Sequence, residues 1–155
     1  ETVPAVCPVT TPVVAFTDAI VLLLLDQVPT PPVVGLVKLI EEFTLSELLT
    51  FHFSFKKSIN QLRVEEIISI LDMKNVQSKL VGDFSSGMKQ RVKLAQAIFT
   101  DAPLLLLDEP CSNLDKHGIA QYQEWITTYQ NNRTIIVASN DVNEYSFCKQ
   151  QIVLA

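Results

Sequence analysis

Glycine is scarce in this chain, and basic charge is missing from its first quarter. Four glycines occur among 155 residues, at positions 35, 82, 87 and 118, and none precedes a Lys-Ser or Lys-Thr pair. The Gly-x-x-x-x-Gly-Lys-Ser/Thr loop that wraps phosphates in backbone N–H groups is therefore written nowhere in the sequence. No Lys or Arg stands before Lys38, and the chain as a whole carries a net charge of -5. That acidic balance leaves no basic footprint, so nucleic acid is excluded as a partner. Three cysteines, Cys7, Cys111 and Cys148, lack metal-type spacing and leave an odd one out. They read as reduced thiols of a cytosolic protein. The longest apolar run, residues 19–25, is too short to span a bilayer, and no basic stretch precedes it. Neither a spanning helix nor a signal peptide is expected, so any membrane role has to come through a partner. The length suits one domain with a core of its own.

What is present is concentrated between Phe84 and Asp115. Four consecutive leucines, Leu104 to Leu107, suit a parallel strand buried on both faces. Asp108 and Glu109 then fall at its carboxyl end, where open α/β sheets place their ligands. Two adjacent carboxylates there suggest one group holding a metal ion and one handling a water. Upstream, Ser85-Ser86-Gly87 opens a helix. Serine caps well, and a helix start offers free N–H groups and a positive dipole end, a site for an anion such as phosphate.

In this order and spacing, these residues resemble the nucleotide-binding domain of the ATP-binding cassette (ABC) family. Ser85-Ser86-Gly87-Met88 resembles the family signature, with Ser86 where a glycine and Met88 where a glutamine are commoner. Gln90-Arg91 resembles the pair that usually follows it. Residues 104–109 resemble the Walker B strand, with Glu109 as its catalytic glutamate, and residues 112–115 resemble the D-loop. The resemblance covers about residue 41 to the end. It implies an α/β fold: a parallel-sheet P-loop NTPase core with a small helical subdomain carrying the signature. It implies ATP and Mg²⁺ as cofactors and an ATPase that powers a transporter. Asp108 would orient the Mg²⁺ through its water shell, and Glu109 would polarise the attacking water. Ser85, Ser86, the Gly87 backbone and Met88 would bind the γ-phosphate of ATP held mainly by a second nucleotide-binding domain, in a homo- or heterodimer. Ser112, Asn113 and Asp115 would lie at that two-fold interface. Membrane-spanning transporter subunits are the other implied partner, with the chain cytoplasmic and peripheral to the membrane through them.

The sequence departs from the family pattern in three places. The phosphate loop is absent. The Q-loop glutamine has no counterpart shortly before Thr44, because Gln27 lies too far upstream. The family's Thr-His-Asp triplet, whose histidine senses the γ-phosphate, is replaced by Ser139-Asn140-Asp141. Asn140 reads either as a shorter, neutral donor in the catalytic site or as a turn residue capping the next helix. The alternative function is a non-hydrolysing structural or regulatory cassette that supplies only the signature half of a composite site. Glu109 argues for hydrolysis; the absent loop and Asn140 argue the other way.

Along the rest of the chain, Thr44-Leu45-Ser46-Glu47 is a capping box opening a helix to about His52. Residues 63–73 predict a second helix with Val64, Ile67, Ile68 and Leu71 on one apolar stripe. His52 and His117 read as structural, and Glu41-Glu42 as a solvated patch. The helix after Ser85 is expected to run to about Thr100, burying Met88, Val92, Ala95 and Phe99, with Lys89, Arg91 and Lys93 on its solvated side. Residues 116–130 predict a helix packed through Ile119, Tyr122, Trp125, Ile126 and Tyr129. A strand at 134–138, a helix through about Phe147 and a strand at 151–154 follow, in the order of a parallel sheet with crossover helices.

Residues 1–40 are a Pro/Val-rich segment in the place of the amino-terminal core lobe. Six of the eight prolines fall by Pro32, which argues against central strands there, apart from a buried strand at 19–25. Three readings are open for this segment: true degeneracy, a fragment lacking that lobe, or misassigned residues. The overuse of Val, Thr, Pro and Leu favours the last. Residues 41–84 form the helical subdomain, and residues 85–155 the signature helix and the carboxyl half of the ATPase core.

Overall fold

The computed structural model describes residues 3–7, 33–34 and 38–152. Five strands, β1 (Val3–Cys7), β2 (Val33–Val34), β3 (Leu104–Asp108), β4 (Thr134–Ser139) and β5 (Gln150–Gln151), form one sheet in the order β2-β3-β4-β1-β5. Helices α1 (Leu45–Phe55), α2 (Val64–Ile70), α3 (Ser86–Ile98), α4 (Lys116–Thr128) and α5 (Val142–Tyr145) accompany it. β3 and β4 pair in parallel from Leu104↔Thr134 to Asp108↔Ala138, with α4 as the crossover between them. This is the arrangement expected when a run buried on both faces is followed by a helix.

The sheet is not purely parallel. β1 runs antiparallel to both of its neighbours, β4 and β5. β5 therefore points the same way as β4 but is separated from it by β1. Pro4 lies inside β1, against the expectation that the proline-rich segment avoids central strands. Pairing with β5 covers only Ala5 and Val6, so Pro4 sits one residue beyond β5, where a missing donor is tolerated. The strand expected at 19–25 lies outside the described residues.

The helices follow their predicted starts more closely than their ends. Thr44 caps α1 in a full capping box, with its backbone N–H donating to Glu47 Oε2 at 2.9 Å. α1 continues to Phe55, three residues past His52, since nothing in the sequence breaks it. α2 stops at Ile70, short of Met73, because Asp72 turns to φ 54°. α5 ends at Tyr145, before Phe147. Of the predicted stripe, Ile67 and Ile68 in α2 and Leu71 just past its end are buried, while Val64 is half-buried.

α3 is the axis of the core. From Val92 onward it is buried nearly all round, adding Leu94, Ala97 and Ile98 to the predicted stripe. The apolar residues of α1, α2, α3, α4, β3 and β4 join in one continuous cluster. Lys89, Arg91 and Lys93 are half-buried rather than solvated. Lys89 Nζ pairs with Glu41 at 2.9 Å, which gives Glu41 a partner beyond solvent. At the far end of α3, Thr100 joins three elements. Its hydroxyl lies 2.9 Å from His52 Nε2, and its carbonyl accepts from the buried Arg133 guanidinium at 3.1 Å. Arg133 also donates to the Tyr129 carbonyl at 2.8 Å, tying α3 to α4, and burial pulls its pKa down to about 10.

Candidate functional site

The site is built on the turn that leaves β3. Leu105, Leu106 and Leu107 anchor the strand in the core, so Asp108 and Glu109 emerge exposed at its carboxyl end. Glu109 continues the pairing, its N–H donating to the Ala138 carbonyl at 2.9 Å, but its φ is 40°. A non-glycine residue in the left-handed region is strained by about 1–3 kcal/mol and persists only where its surroundings hold it. The chain then folds back on itself. Ser112 N–H donates to the Glu109 carbonyl at 3.0 Å and Leu114 N–H to the Cys111 carbonyl at 2.9 Å. Ser112 Oγ reaches Glu109 Oε2 at 3.5 Å. Asn113 sits at φ 63°, a conformation that asparagine tolerates, and Asp115 caps α4 by accepting from Gly118 N–H at 2.8 Å.

The start of α3 packs against this turn. Ser85 is its cap, with Oγ accepting from Met88 N–H at 3.2 Å. A Cβ on Gly87 would stand 2.9 Å from the Asn113 carbonyl oxygen, so only glycine lets the helix start come this close. Between them lies a cleft of about 410 Å³ lined by Ser85, Ser86, Gly87, Met88, Arg91, Asn113 and Asp115. Free N–H groups at the start of a 13-residue helix, with a guanidinium beside them, suit an anion.

A second cleft, of about 420 Å³, opens on the other side of the turn, lined by Glu109, Ser112, Ser139, Asn140, Asp141 and Glu144. Glu109, Ser112 and Asn140 thus meet in one place. Ser85 to Met88, Asn113 and Asp115 meet in the other, and Asp108 stands at the strand end beside Glu109. The capping reading of Asn140 is corrected. The residue that caps α5 is Asp141, whose Oδ1 accepts from Asn143 N–H at 2.9 Å, while Asn140 is exposed at the end of β4. Among the described residues, no group of three or more His, Cys, Asp or Glu side chains is placed to hold a metal ion.

Two further residues hold the turn: Gln90, noted from sequence only for its place after the signature-like residues, and Glu144, not singled out at all. Gln90 is buried and its Nε2 donates to the Pro110 carbonyl at 2.8 Å. Glu144 is buried and its Oε1 accepts from Cys111 N–H at 2.6 Å. Desolvation pushes the Glu144 pKa up, and the charges of Asp141 and Glu109 add to this, against the pull of hydrogen bonds from the Ser139 hydroxyl and the Cys111 N–H. The Cys111 thiol is likewise pushed up, chiefly by burial. The one sequence signal for Gln90 was its place after the signature-like residues. Glu144 gave none, since a lone acid in a predicted helix reads as solvated.

Comparison with known proteins bears on the family and the fold. The family model described as ABC transporter matches residues 33–112. An uncharacterized ABC transporter ATP-binding protein of Bacillus subtilis is 32% identical over 106 residues, covering 67% of this chain and 34% of the relative. The bacitracin transport ATP-binding protein of Bacillus licheniformis is 37% identical over 83 residues, 52% of this chain and 27% of the relative. The chain therefore spans about a third or less of the length of these relatives. Among solved structures, a dimeric post-hydrolysis state of an ATP-binding cassette bound to ADP and Pi superposes with a TM-score of 0.62 at 18% identity. It covers 80% of this chain and 62% of its own. At that identity the likeness shows the fold, a P-loop NTPase cassette.

Proposed function

The chain belongs to the ABC transporter family, and on that premise we propose that it is part of an ATP-hydrolysing subunit that powers a transporter. The observation that carries the reading is the turn at 109–115, with a carboxylate cleft on one side and a helix-start cleft on the other. Residues 41–84 serve as the helical subdomain and residues 85–155 as the signature helix and the carboxyl half of the core. Residues 1–40 stand in the place of the amino-terminal lobe.

In this reading the hydrolytic residue is Glu109. Its exposed carboxylate accepts a hydrogen bond from, and so orients, the water that attacks the γ-phosphate. Asn140, across the same cleft, donates its amide to the phosphate oxygens as charge builds on them. The residues present fit Mg²⁺ as an ion held chiefly by phosphates and water. A single strand-end carboxylate, Asp108, is the protein's contribution, and no multi-carboxylate cage surrounds it among the described residues. Such an ion supplies neutralisation of phosphate charge. Ser85, Ser86, the Gly87 backbone and Met88, with Arg91, form an anion cleft for the γ-phosphate of ATP held on a second copy. Ser112, Asn113 and Asp115 face that copy. The dimeric state of the structural neighbour, and its ADP and Pi, support this arrangement. No helix among the described residues is long and apolar enough to cross a membrane. Attachment to a membrane through transporter subunits, on the cytoplasmic side, follows from the family reading. The test is phosphate release from Mg-ATP by the purified full-length protein. Release that depends on both Mg²⁺ and ATP is expected. ATP binding without release would favour a non-hydrolysing cassette.

A further inference from the structure

We infer that Glu144 is the positioning residue of the hydrolytic turn, one jaw of a clamp that holds the peptide unit between Pro110 and Cys111 and thereby fixes Glu109. The inference rests on the reading of Glu109 as the hydrolytic residue. The observation is one of backbone geometry. The Pro110 carbonyl and the Cys111 N–H belong to the same planar peptide group. The carbonyl accepts from Gln90 Nε2 at 2.8 Å, and the N–H donates to Glu144 Oε1 at 2.6 Å. Two buried side chains, one from α3 and one from α5, thus grip opposite edges of a single plane. That plane begins one residue after Glu109, whose φ of 40° needs such restraint.

The surroundings of Glu144 argue that the grip is its role. It is 4% exposed. No basic group pairs with it among the described residues, where the ion pairs are Arg63–Glu66 and Lys89–Glu41. Its Oε2 is enclosed, with the Ser139 hydroxyl beside the carboxyl. Its own carbonyl accepts from the Tyr122 hydroxyl at 2.8 Å, which seats it on α4. A carboxyl in such a place is unfavourable for stability, and its short contact to the turn is the Cys111 N–H. With that acceptor removed, the peptide plane is free to rotate and Glu109 to relax toward ordinary φ, carrying its carboxylate away from the cleft.

Two variants of the full-length protein separate positioning from packing. Glu144→Leu fills the site without an acceptor. Glu144→Gln keeps a carbonyl oxygen where Oε1 lies. In Glu144→Leu, hydrogen exchange of peptides covering residues 109–115, measured without nucleotide, is expected to quicken about tenfold while β3 and α3 stay protected. The kcat for Mg-ATP is expected to fall about tenfold or more, with KM within about twofold. Glu144→Gln is expected to restore both toward the parent. Parental exchange at 109–115 in the leucine variant would overturn the inference, as would a loss in the glutamine variant as large as in leucine. A parent that releases no phosphate would instead overturn the functional reading, and the exchange measurement would still decide the clamp.

Discussion

At the scale of single residues, the turn at 109–115 sets the terms. Asp141 caps α5 and Asn140 lines the cleft, where the proposed function makes it a donor. A histidine there would reach further and carry positive charge, and a charge-assisted hydrogen bond is about twice as strong as a neutral one. Asn140→His is therefore expected to raise kcat severalfold in the full-length protein, and Asn140→Ala to lower it, with melting temperatures unmoved. Steady-state ATPase rates beside thermal melts check this. A melting temperature lowered by Asn140→Ala with kcat unchanged would return Asn140 to a structural role. His52 gives a pH dependence. Burial lowers its pKa from the ordinary 6.5, so the unfolded chain binds the proton more readily. Its contribution to stability is present above about 6.5 and lost as pH falls below it. Glu144, with its pKa raised from 4.5, acts in the opposite sense: its share is present below 4.5 and lost as pH rises. Comparing melts of the parent with His52→Gln from pH 8 to pH 5.5 cancels the Glu144 share. The parent is expected to lose more stability on acidification than the variant; equal losses would contradict this. The acidic pair after four leucines and the serine-capped helix start were legible because each is a local pattern. The buried contacts of Gln90, which the sequence marked only by its place after the signature-like residues, and of Glu144 were not, because their partners lie 20 and 33 residues away in sequence. Nothing in their own neighbourhoods distinguishes a buried amide or acid from a solvated one.

At the scale of elements, the starts of α1, α3 and α4 were readable from Thr44, Ser85 and the D-loop-like residues, since a capping side chain acts on the next three residues only. Ends were less so. α1 overran its expected limit and α2 fell short of its own, because helix ends depend on what the chain packs against next. The all-round burial of α3 also escaped the periodicity, which finds one apolar stripe and so hides a helix surrounded on every side. Buried Gln96, Thr100 and the stem of Arg133 complete that surround. Arg133 is the strut that the packing depends on. Replacing it by Met removes the donors to the buried Thr100 carbonyl and the part-buried Tyr129 carbonyl, leaving both acceptors short of a partner. The loss is expected to be about 2–4 kcal/mol, read as a lower midpoint in urea with the slope unchanged. A midpoint equal to the parent's would mean that the apolar stem, not the guanidinium, supplies the stabilisation.

At the scale of the whole molecule, the parallel α/β core and its helical subdomain followed from the order of motifs, while the antiparallel β1 did not. A strand containing Pro4 reads as an unlikely ladder member until the shortness of β5 is known. The 155 residues contain no Gly-rich phosphate loop, so nothing written here cradles the β- and γ-phosphates. Calorimetry of this chain alone with Mg-ATP is expected to show no micromolar binding, and micromolar binding would mean that another part of residues 1–40 does that work. The central claim is that Glu109 is the residue that activates water in a site completed between two copies. The most direct measurement is steady-state phosphate release from Mg-ATP by the full-length protein and its Glu109→Gln variant, with gel filtration of both in ATP. The variant keeps shape and hydrogen bonding while losing the base. Hydrolysis is expected to fall about 10²-fold or more, while ATP still binds and holds the variant as a dimer. Hydrolysis by Glu109→Gln at the parental rate would contradict the account.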